Sequence, residues 1–235
     1  MAATVCVPDA TNPECLPGRW PGLKDAASHA CRSTLAFAGL AVIITRAGDS
    51  RTGRFDRAVI SVAEHGRSPA AVRAARVISA LGEPGFVVLP IAMVTACAVR
   101  RADWRRACVP PLAVASGAAV RRLLSRAIAR PRPPSAIWLT EPEGFSMPSK
   151  HTSLAALTAG ACAGSLAVGG LGRHGVPLLA AAGVGASRIY LGVHWPTDVV
   201  AAWIFAEAWL QLAEALYAGA AARAKPVRPR RARRR

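Results

Sequence analysis

A histidine and an aspartate stand four residues apart in the segment that joins the last two apolar stretches of the chain. Residues 187–198 read SRIYLGVHWPTD and contain Arg188, His194 and Asp198. A carboxylate at this spacing can hold one imidazole nitrogen by a hydrogen bond, which fixes the tautomer and leaves the other nitrogen free as a nucleophile. The guanidinium of Arg188 could bind an anion beside it. The segment therefore predicts nucleophilic catalysis on an anionic group, and a structural role for any single member is the alternative.

A second histidine lies at the predicted start of a long helix. Residues 145–152 read FSMPSKHT, and Pro148 ends the preceding loop. Ser149, Lys150 and His151 therefore fall at or near the first helical turn. Free backbone N–H groups and the helix dipole favour an anion there, and the histidine could donate a proton to a leaving oxygen. A structural role for a single histidine at such a place is the alternative.

Arginine is concentrated where another apolar stretch ends. Residues 125–134 read SRAIARPRPP and contain Arg126, Arg130 and Arg132. A planar guanidinium can donate two parallel hydrogen bonds to a phosphate, so Arg126 and Arg132 are candidate phosphate ligands. For this segment alone, a positively charged membrane anchor is an equal alternative.

These clusters lie at the borders of long uncharged runs. Residues 152–172 are 21 residues without a charge, enough to cross a bilayer core at ~1.5 Å per residue. The other runs are residues 33–45, 85–99, 107–120, 175–187 and 199–222. They predict an all-α, polytopic membrane helix bundle with about six transmembrane helices. The run at 33–45 is short and could be re-entrant or interfacial, and buried helices of a soluble protein are the alternative for the whole set.

Two further patterns concern how the helices pack. Residues 54–83 are amphipathic and predict two short helices, broken at 67–69, that pack on the bundle or lie at the membrane interface. Glu207 and Glu214 interrupt the last apolar run. Because they are seven residues apart, they share one helix face, which we expect to point into the bundle.

The net charge of +17 comes from 30 basic and 13 acidic residues. The basic residues occur in clumps between uncharged runs, with 8 of them in residues 223–235. This layout is typical of a polytopic membrane protein, so we expect membrane lipids and no nucleic acid as partners. Three parts follow: an N-terminal arm at 1–32 that lacks the apolar stretch of a signal peptide, a membrane-embedded domain at 33–222, and a basic, disordered, cytoplasmic tail at 223–235.

Together the three clusters resemble the signature of the type 2 phosphatidic acid phosphatase family, which are integral-membrane lipid phosphate phosphatases. The family pattern is K-x6-R-P, then P-S-G-H, then S-R-x5-H-x3-D. The third motif is matched in full, by Ser187, Arg188, His194 and Asp198. The second is matched at Pro148, Ser149 and His151, and the first at Arg132 and Pro133. The resemblance covers roughly residues 55–218, including Phe55-Asp56-Arg57 and Leu81-Gly82.

The resemblance implies a metal-independent phosphatase that needs no cofactor and hydrolyses a phosphomonoester or diphosphate in two steps. His194 would attack phosphorus and become a phosphohistidine, while Asp198 orients it. His151 would protonate the leaving group and then activate water. The phosphoryl oxygens would be held by Arg132, Arg188, Ser149 and the backbone N–H groups around Lys150.

Two positions depart from the family pattern. Lys150 stands where the second motif has glycine, and Ser125 stands where the first has lysine. The missing cation could come from Lys150, Arg126 or Arg122, and Lys150 is favoured because it lies inside the second motif. Replacement of Lys150 by glycine is then expected to reduce turnover greatly.

The orientation of the chain follows from the bias of basic residues towards the cytoplasm. A cytoplasmic tail at 223–235 makes the last helix run inward, which places His194 and Asp198 outside. Counting back through the runs puts His151 and the cluster at 125–134 on the same side. The protein is therefore expected to be an integral plasma-membrane protein with its active site on the outer face.

An outward-facing site at the lipid border favours a lipid phosphate as substrate. A polyprenyl-linked phosphate or diphosphate is preferred by family analogy, and phosphatidate and phosphatidylglycerol phosphate are the alternatives. A catalytically weakened, polybasic membrane protein and a transporter with a His–Asp proton relay are the readings from other functional classes. Oligomeric state is not predicted.

Overall fold

The structure, a computed structural model, describes residues 23–166 and 171–223. The segments at 1–22 and 224–235, which include the predicted disordered tail, lie outside the described residues. Within residues 23–166 and 171–223, the chain forms eight α-helices and no strand. The helices are α1 Leu23–Arg46, α2 Ser50–His65, α3 Pro69–Ala80, α4 Pro84–Arg100, α5 Trp104–Ile128, α6 Lys150–Ser165, α7 Leu171–Tyr190 and α8 Pro196–Arg223. A short 3-10 turn, Ser135–Ile137, lies between α5 and α6. The all-α prediction is confirmed.

Helix α1 is longer than the apolar run that predicted it. It begins at Leu23 instead of Ser33, and its 24 residues are long enough to cross a bilayer. Its polar side chains find partners on α8, against which α1 packs along its length. Ser33 Oγ donates to the Ala208 carbonyl at 2.9 Å, and His29 Nδ1 lies 2.6 Å from Gln211 Oε1. These contacts explain why residues 23–32, assigned from sequence to the arm, are helical.

The longest uncharged run does not form a single helix, contrary to the expectation from sequence. Helix α6 ends at Ser165 and α7 begins at Leu171, so residues 152–172 are divided between two helices. The short connection makes α6 and α7 close neighbours.

Among the described residues, three helices are long and apolar enough to cross a membrane: α1, α5 over Arg106–Ile128, and α8. A fourth span results if α3 and α4, which meet at a bend of 47°, are counted as one. Large apolar side chains also cover the outer surface, including Leu89, Leu112 and Leu179, which are 67%, 65% and 72% exposed. An apolar exterior of this extent fits a lipid environment. The predicted number of six spans stays a prediction.

Helix α6 occupies the centre of the bundle and packs against α4, α5, α7 and α8. Every residue from His151 to Thr158 is buried. Small residues permit this close packing, because a Cβ atom added at Gly160 would lie 2.3 Å from Leu210 Cδ1 of α8. The buried side chains around α6 include Val114 of α5 and Phe205 of α8. The first turn of α6 is thereby held inside the protein.

The amphipathic segment forms the two predicted short helices. Ser68 caps α3 by accepting a hydrogen bond from the Ala71 N–H at 3.2 Å, and Pro69 occupies the first helical position. Helix α2 buries Asp56 and Ile60 and contacts the ends of α7 and α8 that border the site described below.

The expectation that Glu207 and Glu214 point into the bundle is confirmed. His174 Nδ1 lies 3.0 Å from Glu207 Oε1, and Arg173 Nη2 lies 3.5 Å from Glu214 Oε1. Both partners belong to α7. The two carboxylates of a membrane helix therefore face basic groups of its neighbour and not the lipid.

Candidate active site

The three sequence clusters meet at one end of the bundle, around a cavity of about 120 Å³. Its lining comes from the loop between α5 and α6, the first turn of α6, the end of α7, the loop before α8 and the start of α4. The residues are Glu83, Arg132, Thr140, Glu141, Pro142, Glu143, Lys150, His151, Arg188 and His194. Water takes about 30 Å³ per molecule in the liquid, so the cavity has room for a small anionic group.

His194 is held between an acid and a base. Its Nδ1 lies 3.4 Å from Asp198 Oδ2, and Arg132 Nη1 donates to its Nε2 at 3.1 Å. A carboxylate can only accept, and a guanidinium can only donate. The proton of the neutral ring therefore lies on Nδ1, and Nε2 carries the free electron pair on the cavity side. This tautomer is the one that a nucleophilic imidazole needs.

The charge state of His194 supports the same role. The side chain is 1% exposed. Burial lowers the pKa of His194 to about 4, with help from the charges of Arg132 and Arg188 and against the hydrogen bond and charge of Asp198. The ring is therefore neutral near pH 7.

Asp198 is fully buried and is fixed by several donors. Its Oδ2 accepts hydrogen bonds from the Ser146 hydroxyl and from the Trp195 N–H, the latter at 2.8 Å. Arg130 Nη1 donates to Oδ1 at 2.5 Å. The carboxylate that orients His194 is thus itself oriented by groups on three segments of the chain.

Arg130 links this carboxylate to a second buried acid, which the sequence clusters did not single out as site residues. Its Nη2 donates to Asp56 Oδ2 at 2.7 Å, and its guanidinium lies 5.8 Å from the centroid of the Trp195 ring. Asp56 also accepts from the Thr197 N–H at 3.1 Å. The chain Asp56–Arg130–Asp198 joins α2 to the start of α8 and so supports the site.

Arg132 is tightly held beside the nucleophile. Besides His194 it donates to four backbone carbonyls, those of Glu143, Gly144, Phe145 and Val193. Burial lowers the pKa of Arg132 to about 10, opposed by the charge of Asp198 and reinforced by that of Arg121. The side chain stays cationic at neutral pH.

The other cationic groups of the cavity come from α6 and α7. Arg188 is 4% exposed; its Nη1 donates to Ser79 Oγ at 2.9 Å, and its Nε is buried without a partner among the described residues. Ser149 is buried at the N-terminus of α6, where no side chain caps the helix. The uncapped N–H groups of this turn add positive potential. A phosphoryl group could be bound by these donors.

His151 meets a partner that the sequence analysis missed. Its Nε2 lies 2.5 Å from Glu83 Oε1, at the residue that precedes α4. Glu83 is distant in sequence from all three motifs, and only the Leu81-Gly82 feature beside it marked this region. The pairing therefore depends on the tertiary packing of α4 against α6.

Three residues were candidates to supply the cation that the lysine of the first motif provides in the family. The structure places them in two groups. Lys150 lines the cavity and donates to Glu143 Oε2 at 3.3 Å. Arg122 and Arg126 are exposed on α5 and do not line the cavity. The expectation that Arg126 binds phosphate thus finds no support in its position, because it lies about 100° around the helix from Ser125.

Arg121 is the guanidinium that reaches the site from α5. It lies one helical turn before Ser125, on the same face, and is half-buried. Its Nη1 donates at 3.2 Å to the carbonyl of Pro148, directly before Ser149. The spacing of four residues was the signal in the sequence that could have identified it.

The fold and this site define a class: a membrane helix bundle with a pocket at one end, lined by arginine, lysine and glutamate, beside a buried histidine that is held by an aspartate. Residues 106–220 match the sequence model of the PAP2 superfamily. The chain also resembles the crystal structure of a transmembrane PAP2-type phosphatidylglycerolphosphate phosphatase from Bacillus subtilis. The two share 25% identity and a TM-score of 0.68, over 84% of this chain and 99% of that one. A comparison with curated proteins gives no match.

The resemblance to the type 2 phosphatidic acid phosphatases is confirmed by the match of residues 106–220 to the PAP2 superfamily and by the likeness to the solved PAP2-type structure. The superfamily match and the solved structure support a membrane phosphatase.

Proposed function

We propose that the protein hydrolyses a lipid phosphomonoester or diphosphate through a phosphohistidine on His194, without a metal ion. The observation that carries the proposal is the pair of opposite partners on His194, since Asp198 holds Nδ1 while Nε2 faces a cavity whose lining includes Arg132, Lys150 and Arg188. The positive charge needed to bind a phosphoryl group is supplied by side chains and by the N-terminus of α6.

In the first step, the hydrogen bond from Arg132 Nη1 to Nε2 of His194 breaks, which frees this N–H for the phosphoryl group. The Nε2 electron pair forms a bond to phosphorus, and the bond from phosphorus to the leaving oxygen breaks. His151 gives its proton to that oxygen. In the second step, water attacks the phosphohistidine and passes a proton back to His151, while the phosphorus–nitrogen bond breaks. Arg132, Arg188, Ser149 and Lys150 hold the phosphoryl oxygens through both steps.

A lipid substrate is favoured by an apolar groove that begins one helical turn from the cavity. The groove has a volume of about 540 Å³ and is lined by α3, α4, α6 and α7. Ala155 in the groove is one turn after His151, and Val184 is one turn before Arg188. The groove could hold an alkyl chain while the phosphate lies in the cavity.

Three kinds of lipid phosphate are the candidate substrates. A polyprenyl-linked phosphate or diphosphate is favoured by family analogy, and a cavity on the outer face of the plasma membrane suits envelope synthesis. Phosphatidylglycerol phosphate is the second, because the solved Bacillus subtilis structure is that of a phosphatidylglycerolphosphate phosphatase. Phosphatidate completes the set.

The test is phosphate release from these lipids by the purified protein in the presence of EDTA. Wild-type protein should turn over at least one of them, His194→Ala should not, and His151→Ala should retain only a small residual rate. Phosphohistidine is hydrolysed in acid, so the intermediate is sought by mass spectrometry after an alkaline quench. Hydrolysis that survives in His194→Ala, or that EDTA abolishes, would contradict the proposal.

A further inference from the structure

Glu83 does not perform the task that its place in the chain suggests. It is the N-cap residue of α4, yet its side chain makes no capping hydrogen bond. Its carboxylate instead accepts a hydrogen bond from His151 Nε2 at 2.5 Å. The acid is therefore directed at the second histidine of the site and not at its own helix.

The backbone before Glu83 is pressed against the first turn of α6. A Cβ atom added at Gly82 would lie 2.5 Å from the His151 carbonyl oxygen and 2.7 Å from its Cβ. Real side chains do not tolerate such distances, so glycine allows the close approach. This contact brings the Glu83 carboxylate within reach of the imidazole.

The pairing leaves the other nitrogen of His151 for the cavity. His151 lines the cavity, and its Nδ1 is buried without a hydrogen-bond partner among the described residues. A neutral ring that donates from Nε2 to Glu83 carries an electron pair on Nδ1, which can only accept. Donation from Nδ1 therefore requires the imidazolium.

We propose that Glu83 is the positioning residue of the general acid: its carboxylate holds His151 as an imidazolium whose Nδ1–H faces the leaving oxygen of the substrate. This inference rests on the proposed function. Burial and the charges of Arg188 and Lys150 favour the neutral ring of His151, whereas the hydrogen bond and the charge of Glu83 favour the positive ring. Glu143 and Glu141 also line the cavity, but Glu143 is paired with Lys150. Glu83 is the carboxylate in contact with the ring.

The proton count closes over the two steps. When the bond to the leaving oxygen breaks, the Nδ1 proton moves to that oxygen and the ring becomes neutral, with its Nε2 proton still on the side of Glu83. The attacking water then returns a proton to Nδ1 and the imidazolium is restored. Glu83 neither gains nor loses a proton.

Glu83→Gln separates charge from shape, because the amide oxygen can still accept from Nε2. The experiment compares two leaving groups in the full-length protein: a lipid phosphate with an alkoxide leaving group, and p-nitrophenyl phosphate, whose phenolate leaves without a proton. The phosphorylation step is measured as the single-turnover rate for the first and the burst rate for the second. The alkyl rate should fall about 100-fold, whereas the aryl rate should change less than about 3-fold.

Two controls make the result specific. Glu64→Gln, a matched change on α2 outside the cavity, should alter neither rate. In a His151→Ala background, Glu83→Gln should cause no further loss, because its effect passes through the ring. Equal losses for both leaving groups, or an undiminished loss in the His151→Ala background, would overturn the inference. Absence of any phosphoenzyme in the wild type would instead overturn the proposed function.

Discussion

Single residues determine which atom of each histidine can react. His194 and His151 each have a carboxylate partner, but on different nitrogens: Asp198 faces Nδ1 of the first, and Glu83 faces Nε2 of the second. The nitrogens left for the cavity are Nε2 of His194 and Nδ1 of His151. One histidine is thereby suited to attack and the other to donate a proton, although the two side chains are chemically identical.

The buried position of His194 leads to a prediction about pH. Because burial lowers its pKa to about 4, His194 stays neutral and nucleophilic as the pH falls from 7 towards 4. The ring becomes protonated, and loses its nucleophilicity, only below that value. A histidine with an ordinary pKa would become protonated, and lose its nucleophilicity, near pH 6.5. The measurement is kcat/KM between pH 4 and 8. It is corrected for the fraction of substrate phosphate that is ionised at each pH, which is titrated separately. A remaining acid limb near pH 6.5 would count against the environment described for His194.

A second prediction at this scale concerns Arg121. Its hydrogen bond to the Pro148 carbonyl supports the loop that holds Ser149. Loss of a charged hydrogen bond of this kind costs about 1.5–3 kcal/mol, so Arg121→Met should reduce kcat/KM by about 10- to 100-fold.

Arg122→Met and Arg126→Met serve as matched controls on the same helix. Both side chains are exposed, and we expect turnover within about 2-fold of wild type because surface substitutions have small effects. A large loss in Arg126→Met together with unchanged turnover in Arg121→Met would restore the assignment of Arg126 made from sequence.

The residues that sequence reasoning found and missed differ in one physical respect. His194 and Asp198 are four residues apart, so local spacing alone brings them together. Glu83 and Asp56 reach the site across 68 and 74 positions of the chain, from His151 and Arg130 respectively. No local pattern encodes such contacts, because they depend on how α2 and α4 pack against the bundle.

At the scale of elements, the central position of α6 explains why the site is buried and why a helix N-terminus adds positive potential to it. Its N-terminus lies inside the protein, where the dipole of the helix is poorly screened by water. The helices around it were predicted in number and order from the apolar runs. Their lengths were not, since α1 extends to polar residues that α8 satisfies, and the 152–172 run is interrupted.

The groove beside the cavity provides a prediction about these elements. Gly183 of α7 lines the groove, and a Cβ atom there would meet nothing within 4 Å. Gly183→Leu should therefore fill the groove without disturbing its neighbours. Because a few methylenes in an apolar pocket are worth roughly 10- to 200-fold in specificity, KM for a long-chain lipid phosphate should rise by about 10-fold.

Gly219→Leu on α8 is the matched control, since it also meets nothing within 4 Å and lies outside this groove. It should leave KM unchanged, and both variants should hydrolyse a short, water-soluble phosphomonoester at the wild-type rate. Equal effects of the two variants on the long-chain substrate would show that the groove does not bind the lipid chain.

For the whole molecule, the net charge of +17 divides into two kinds of group. Arg121, Arg132, Lys150 and Arg188 gather around the cavity, where they are buried or paired. Arg100 and Arg101 lie at the other end of the bundle, before α5, and the basic segment 223–235 follows α8. Because basic residues favour the cytoplasmic side of a membrane, we propose that the cavity is extracytoplasmic.

This orientation can be tested with two single cysteines at opposite ends of α5, in a protein whose six native cysteines are replaced. Ser135→Cys lies in the exposed loop beside the cavity, and Arg101→Cys lies at the exposed start of the helix. We expect a membrane-impermeant maleimide to label Ser135→Cys in intact cells and Arg101→Cys only after the cells are permeabilised. The reverse pattern would place the cavity in the cytoplasm. In that case the basic residues around the cavity, and not those near the start of α5 and the end of α8, would be the ones that orient the protein, because they would lie on the cytoplasmic side.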